Sequence, residues 1–307
     1  MSIKYTVVHR RDPNNVGDIA SNPLQYFLKD DEYDVVDIND VSKVSISPYI
    51  PLIVGGGGLI SNDFMDTNFR RLLTGSDKAQ LYEMYDRRWN TPSTTMKEVQ
   101  AEFEAEYLEL IRKYIKKTEN SKNLKTIWGA GHNSDISKDK KGNLFFEYPD
   151  YLVDFDITGL RDWDTGHAWA PCASCMHSAL RKNYKIKNDI IWFEHKKQLI
   201  KDFGNDPIPR FINSGSNVEQ TIELLGSANI ILTNSYHGAY WGTLLGKKVI
   251  VVGAWSTKFY KLRHRPYILD KNEDYKEILD NVPIYGAALD ESIAATENFW
   301  RTVQERS

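Results

Sequence analysis

The residues best placed by type and spacing to do chemistry are Thr233-Asn234-Ser235-Tyr236-His237-Gly238. They lie between a β-branched run, Asn229-Ile230-Ile231-Leu232-Thr233, and a small-residue stretch, His237 to Leu245, closed by Gly246. A strand ending here and a helix starting near His237 leave the first helical N–H groups unpaired and pointing outward. An anion placed there gains hydrogen bonds and dipole stabilisation. Asn234, Ser235 and Gly238 would form that cradle, and His237 would move a proton or touch an anionic oxygen. The same pattern also fits a plainer role, with Ser235 capping the helix and His237 packed in the crevice.

Other polar or glycine-rich turns follow strand-like runs. Asn15, Gly17 and Asp18 come after Tyr5-Thr6-Val7-Val8-His9. Asp18 suits the cap of a helix running to about Lys29, or a base that orients a hydroxyl. Gly55 to Gly58 follow Pro51-Leu52-Ile53-Val54, which is expected to end there. Glycine permits positive φ and close backbone approach, so Gly56 and Gly57 fit a sugar or phosphate contact, or a tight turn alone. No Gly-Lys-Ser/Thr ends the run, so it is not a Walker loop, and it is not a full dinucleotide fingerprint.

His132 and Asn133 follow Leu124-Lys125-Thr126-Ile127-Trp128 and suit acceptor hydroxyls or a satisfied structural role. Arg161-Asp162, after the alternating run Phe155-Asp156-Ile157-Thr158, reads as a donor contact or as a structural ion pair. Local basic clusters, Arg70-Arg71 and Arg263-His264-Arg265, suit one small anion. Cys172-Ala173-Ser174-Cys175 with His167 and His177 has the ligand types of a zinc site. Its cramped spacing and the lack of a second CxxC favour buried, reduced thiols. Aromatic residues, among them Trp89, Trp163, Trp169, Tyr236, Tyr240 and Trp241, suit stacking on sugars or filling cores.

The elements that must position these groups alternate between strands and helices. Asp34-Val35-Val36-Asp37-Ile38 reads as a second strand, and Met96 to Lys117 as a long amphipathic helix. The pattern restarts with Ile190-Ile191-Trp192-Phe193 and Phe211-Ile212-Asn213. A helix from Val218 to Leu225 follows, with Gly226 as its cap. Val249-Ile250-Val251-Val252 is the next strand, and Leu289 to Val303 the terminal helix. Such alternation predicts an α/β fold with mostly parallel sheets.

A chain of 307 residues suits two domains. We expect Rossmann-like domains over 1–183, on the acceptor side, and 184–307, on the donor side, facing a central cleft. The terminal helix is expected to pack back on the first. In such sheets ligands bind beyond the carboxyl ends of the strands, where strand order reverses. Net charge is −3 with no long basic block, which excludes a nucleic-acid footprint. No signal-peptide pattern and no apolar run of membrane-spanning length occur, so a cytoplasmic protein without a transmembrane segment is expected.

The segment from Thr233 to Gly238, followed by Leu245-Gly246-Lys247-Lys248-Val249-Ile250-Val251, resembles the signature of the polysaccharide pyruvyl transferase family. Asn15-Val16-Gly17-Asp18, Val54-Gly55-Gly56-Gly57-Gly58-Leu59-Ile60-Ser61 and Gly159-Leu160-Arg161-Asp162 are similar to that family in the same order. The resemblance implies a two-domain fold like that of GT-B glycosyltransferases. It implies transfer of the enolpyruvyl group of phosphoenolpyruvate to a sugar diol, giving a pyruvate ketal in surface polysaccharide biosynthesis. No cofactor or metal is implied beyond that donor, and the acceptor would be a carbohydrate or lipid-linked saccharide. In the family an Arg-x-His arrangement is associated with the donor. Here Ser235 stands where the arginine would be, leaving Arg161, Arg263 and Arg265 as replacement guanidinium groups. A glycosyltransferase using a nucleotide sugar, and a non-catalytic carbohydrate- or nucleotide-binding protein, share the same architecture.

Overall fold

A computed structural model describes residues 4–38, 40, 47, 49–60, 83, 98, 105, 109, 124–136, 143–200 and 207–307. The expected helix from Met96 to Lys117 lies outside them but for three isolated positions, and Ser61, Arg70, Arg71 and Trp89 lie outside them too.

The β-branched runs form strands because neighbours cover them on both faces, the usual reason for continuous apolar runs in parallel sheets. The first sheet contains β1 (Tyr5–His9), β2 (Tyr33–Asp37), β3 (Leu52–Ile60), β4 (Lys125–His132), β5 (Ile157–Leu160) and β6 (Ala168–Trp169). Its order is β2-β1-β3-β4-β5-β6, with every pair parallel. The second contains β7 (Asn188–His195), β8 (Arg210–Asn213), β9 (Ala228–Thr233), β10 (Lys248–Val251) and β11 (Tyr267–Ile268). It is also wholly parallel, in the order β11-β10-β9-β7-β8.

In both sheets the chain starts one strand in from an edge, pairs with that edge strand, then crosses to the other side. The reversal falls between β1 and β3 in the first sheet and between β7 and β9 in the second. The α/β expectation therefore holds in the form of two parallel sheets.

Four α-helices occur among the described residues: α1 (Val16–Ala20), α2 (Val218–Gly226), α3 (Tyr236–Leu244) and α4 (Ala288–Arg306). α1 is far shorter than the expected helix to Lys29. Asn15 rather than Asp18 is its N-cap, accepting from Gly17 N at 3.1 Å. Pro23 disfavours helical backbone at the residue before it, so the chain leaves α1 at Ser21 and resumes as a 3-10 turn, Leu24–Tyr26.

β3 and β4 run on through their glycines instead of stopping at Val54 and Trp128. A Cβ at Gly55 would overlap the Trp128 carbonyl oxygen, so glycine is what lets the two strands stay paired. Gly226 is the last residue of α2 and Ser227 its cap; the Tyr184 ring lies where a Gly226 side chain would be.

α4 joins the two cores. Its Ala288 and Ile293 belong to the cluster around Trp241 and Phe193, while Phe299, Trp300 and Val303 pack with Tyr5 and Trp128 beneath the first sheet. Trp300 stacks on Trp128 with ring centroids 5.7 Å apart and on Phe27 at 5.4 Å. Further links tie the halves beside the strand ends. Asp135 and Ser256 form an antiparallel bridge, Thr257 N donates to Ser134 O at 2.9 Å, and Lys196 Nζ donates to Asp12 Oδ2 at 2.6 Å.

Trp300→Ala removes the ring at the centre of this aromatic stack. It is expected to cost about 3–5 kcal/mol, the usual range for emptying a buried tryptophan site. Thermal unfolding followed by circular dichroism checks this; an unchanged midpoint would mean that α4 contributes little to holding the first sheet.

Candidate functional site

The loops that leave both reversal points converge on one cavity of about 240 Å³. From the first sheet come Arg10 and Asp18 after β1, Gly57 and Gly58 within β3, Asn133 after β4 and Arg161 after β5. From the second come His195 to Lys197 after β7, Ser235 to His237 after β9, and Trp255 and Lys258 after β10. Five cationic side chains line it against two carboxylates, Asp12 and Asp18.

Lys258 departs far from ordinary surface chemistry. It sits in a 3-10 turn, Thr257–Phe259, and is 7% exposed. Its ammonium lies 3.8 Å from the Trp255 ring centroid and 5.2 Å from that of Phe259. It is in no salt bridge among the described residues. Burial pushes the ammonium down to about 7 and Arg161 repels it further, while Asp18 acts the other way. At neutral pH the group is therefore poised between its two protonation states.

Arg161 reaches the cavity because Gly131 has no side chain to block it; a Cβ there would overlap the guanidinium stem. Its guanidinium carbon lies 4.0 Å over the Tyr236 ring. Nη2 is 3.5 Å from the His132 carbonyl oxygen, and Nε is 3.8 Å from Asp162 Oδ1, beyond hydrogen-bond range. Nε makes no hydrogen bond. The Asp162 carboxylate spends its bonds on His132 N at 2.6 Å and on the Tyr148 hydroxyl at 2.9 Å. Arg161 is thus close to a carboxylate without being saturated by it.

Asp18 faces the same space. Burial raises its carboxyl to about 6, with Arg10, whose Nε is 3.4 Å from Oδ2, pulling the other way.

His237 lines the cavity as a neutral ring. Burial takes it to about 3, with Arg161 and Lys258 adding to the effect. Its Nε2 is 3.6 Å from Cys172 Sγ, and its ring packs on Trp241 with centroids 4.8 Å apart. A Cβ at Gly17 would overlap Nδ1, so the glycine of α1 makes room for this imidazole. Ser235 occupies the N-cap position of α3, yet its side chain makes no cap hydrogen bond; Oγ accepts from Asn213 Nδ2 at 2.9 Å.

Several expected site residues do other work. Asn234 staples the loop, accepting from His195 N at 2.7 Å and donating to the Gln198 carbonyl. Gly238 lies too near Thr233 and Phe193 for any side chain. Gly56, at φ +78°, is pressed against Ser21 O, whereas Gly57, at φ +93°, faces open space at the cavity. His132 is fully buried, bonded to Thr257 Oγ1 at 2.7 Å, and does not line the cavity; Asn133 does, with Oδ1 accepting from Ser256 at 2.7 Å. Arg263 is bound to Glu291 at 2.8 Å and stacked over Trp163, and Arg265 is exposed. Neither lines the cavity.

Sequence reasoning passed over Lys258, Arg10, Lys196 and Trp255. All follow the carboxyl ends of strands β1, β7 and β10, so the strand-end rule applied to every strand, rather than to glycine-rich ends alone, would have found them. Cys172 and Cys175 are buried and free, and no cluster of three His, Cys, Asp or Glu suited to a metal occurs among the described residues.

No protein-family model and no curated protein matches the chain. Among solved structures it is similar to an uncharacterized protein from Klebsiella pneumoniae. The match has 14% identity and a TM-score of 0.38, and covers 87% of this chain and 93% of that one. A likeness that distant carries no functional weight.

Three buried histidines make acid sensitivity a test of this geometry. Burial is the main cause that lowers His9 and His132 to about 4 and His237 to about 3. Unfolding lets each take up a proton below about pH 6.5, so stability falls as pH drops from there towards 4, by about 1.4 kcal/mol per pH unit for each group. Asp18, raised to about 6, opposes part of the loss below that pH. Melting temperature should decline steeply between pH 6.5 and 4.5. A flat profile would show that these rings are solvated.

Proposed function

We propose that the chain is a pyruvyl transferase of the polysaccharide-assembly type. On this reading the two sheets are the halves of a GT-B-like enzyme. The enolpyruvyl group of phosphoenolpyruvate would pass to a sugar diol in the cavity between them. The observation that carries the reading is the Lys258 ammonium, buried with no salt bridge among the described residues and flanked by Arg161 and the start of α3. An anionic donor supplies the missing counter-charge, and the unpaired N–H groups of the first helical turn add hydrogen bonds to it.

The cavity volume favours this donor over a nucleotide sugar. At about 240 Å³ it lies below the roughly 300–1,000 Å³ typical of pockets for drug-sized ligands.

Roles follow from protonation state. Arg161 and the α3 amides hold the donor phosphate and carboxylate. Lys258, poised near neutrality, gives its proton to C3 of the enolpyruvyl group and leaves C2 cationic. A sugar hydroxyl adds to C2 and gives up its proton to Asp18, a carboxylate above about pH 6. The bond from C2 to the phosphate oxygen breaks and phosphate leaves; the second hydroxyl then adds to C2, gives its proton to the now neutral Lys258 and closes the ketal. His237, neutral at working pH, offers a hydrogen bond rather than a charge, so of its two expected parts, moving a proton or touching an anionic oxygen, this reading keeps the second.

Lys258→Arg keeps the charge but cannot exchange a proton at neutral pH. Phosphoenolpyruvate should still stabilise this variant thermally, while phosphate release with a sugar acceptor drops by roughly 10²–10⁴. Lys258→Met should lose both. Because the lysine pays for its burial, Lys258→Met should also melt higher than wild type. A base lowered on folding costs most below its folded value, so the gain is full below about pH 7 and shrinks towards pH 10. Stabilisation of wild type by UDP or GDP, with silence towards phosphoenolpyruvate, would overturn the reading in favour of a glycosyltransferase.

Turnover needs Lys258 protonated and Asp18 ionised, so the rate should peak between about pH 6 and 7. A rate that keeps rising to pH 9 would remove Lys258 as the acid.

A further inference from the structure

The buried amine of Lys258 has a second chemistry besides proton transfer. An amine is a nucleophile only in its free form, which exposed lysines scarcely hold at neutral pH. Lys258 is placed differently. The Trp255 and Phe259 rings lie against its end, it is in no salt bridge among the described residues, and it lines the cavity of about 240 Å³. Arg161 repels its charge and Asp18 favours it, while burial outweighs both and brings the group down to about 7. Free amine is therefore abundant at neutral pH. A lysine desolvated beside another cation is the arrangement that activates an amine towards carbonyl carbon.

Two neighbours narrow the kind of carbonyl. Arg161 lines the same cavity, and its Nε is buried without a hydrogen-bond partner. A guanidinium left in that state suits a carboxylate next to the carbonyl. Asp18 Oδ2 makes no hydrogen bond either, and burial holds its carboxyl at about 6, where it can give and take protons near neutrality. The cavity's volume suits a compact acid rather than a drug-sized ligand.

We propose that Lys258 forms a covalent imine with a 2-oxo acid, whose carboxylate is held by Arg161 and whose carbonyl oxygen faces Asp18. The free amine adds to C2, a C–N bond forms, and the carbonyl π pair moves to oxygen, which takes a proton from Asp18. The nitrogen returns one proton to that carboxylate. Asp18 then protonates the new hydroxyl, the C–O bond breaks and water leaves. The nitrogen lone pair closes C=N, giving a protonated imine beside the Asp18 carboxylate. Phosphoenolpyruvate cannot react this way, because its C2 carries an ester oxygen and no free carbonyl. This chemistry goes beyond pyruvyl transfer and stands on the cavity alone.

Reductive trapping on the full chain tests it. Pyruvate is the probe, and cyanoborohydride delivers hydride to the protonated imine, fixing a secondary amine that peptide mass spectrometry locates. Lys258 should be labelled faster than the exposed Lys182 and Lys187 by on the order of a hundredfold, because their amines stay protonated. Methyl pyruvate keeps the carbonyl and lacks the charge, so it should label Lys258 about tenfold more slowly than pyruvate does. In Arg161→Gln that preference should disappear, and the ratio of the two probes cancels any change in the lysine's own protonation. The preference in wild type keeps the test open if Arg161→Gln does not fold.

Labelling of Lys258 no faster than that of the two surface lysines overturns the inference, as does equal labelling by pyruvate and its ester. Phosphoenolpyruvate judges the donor reading separately. If it stabilises the chain while Lys258 is not trapped, the imine fails and the donor reading survives. If Lys258 is trapped and phosphoenolpyruvate neither stabilises the chain nor protects the lysine, the donor reading falls and the imine stands.

Discussion

An ammonium kept out of water with no carboxylate paired to it in a salt bridge is the constraint around which the two halves of this site are arranged. Removing a charge from solvent costs several kcal/mol even after the protein relaxes. Such a group persists only where its surroundings leave it nowhere else to go. Lys258 is held that way. Its neighbour Thr257 is tied to Ser134 and to His132, Ser256 bridges to Asp135, and two aromatic rings lie within cation–π range. The links that close the two halves together are the same links that prevent the lysine from swinging out. Stability is therefore spent at this point, a pattern common to functional sites.

The two sheets reach that point by repeating one topology. Each reverses strand order at its second strand in space, and each sends its loops out from the reversal. Facing the two reversals brings Arg10, Gly57 and Arg161 against Ser235, His237 and Lys258, although these residues are scattered over most of the chain. Glycine makes the convergence possible at two places. Gly131 admits the Arg161 side chain, and Gly17 admits the His237 ring. Neither glycine is needed for a turn; both are needed for close approach.

Much of the architecture was legible as continuous apolar runs. Val7-Val8, Ile53-Val54, Ile191 to Phe193 and Ile230 to Leu232 mark buried parallel strands, because nothing else in a chain this polar tolerates such runs. Boundaries were less legible. The strands at Leu52 and Lys125 continue through glycine because a parallel neighbour supplies the hydrogen bonds that local propensity does not. The helix after Asn15 stops early because Pro23 restricts the residue before it. The site was legible in part. Ser235 and His237 announce themselves at a strand-to-helix junction, and Asp18, Gly57 and Arg161 lie at the ends of strands. Lys258 gave no such signal, since a lysine in Thr-Lys-Phe-Tyr reads as an ordinary surface residue.

What the sequence determined alone is therefore the period of burial, and with it two sets of parallel strands and the turns between them. Apolar spacing encodes which faces meet solvent, and that information is local. Protonation states were decided by tertiary structure. The same imidazole that looks like an acid at a helix start becomes a neutral wall once Gly17, Cys172 and Trp241 enclose it. The lysine becomes the titrating group because desolvation, rather than sequence neighbourhood, sets the cost of its charge. Arg263 is spent elsewhere for a related reason: a guanidinium serves whatever carboxylate or ring the fold brings to it, and for Arg263 that is Glu291 and Trp163.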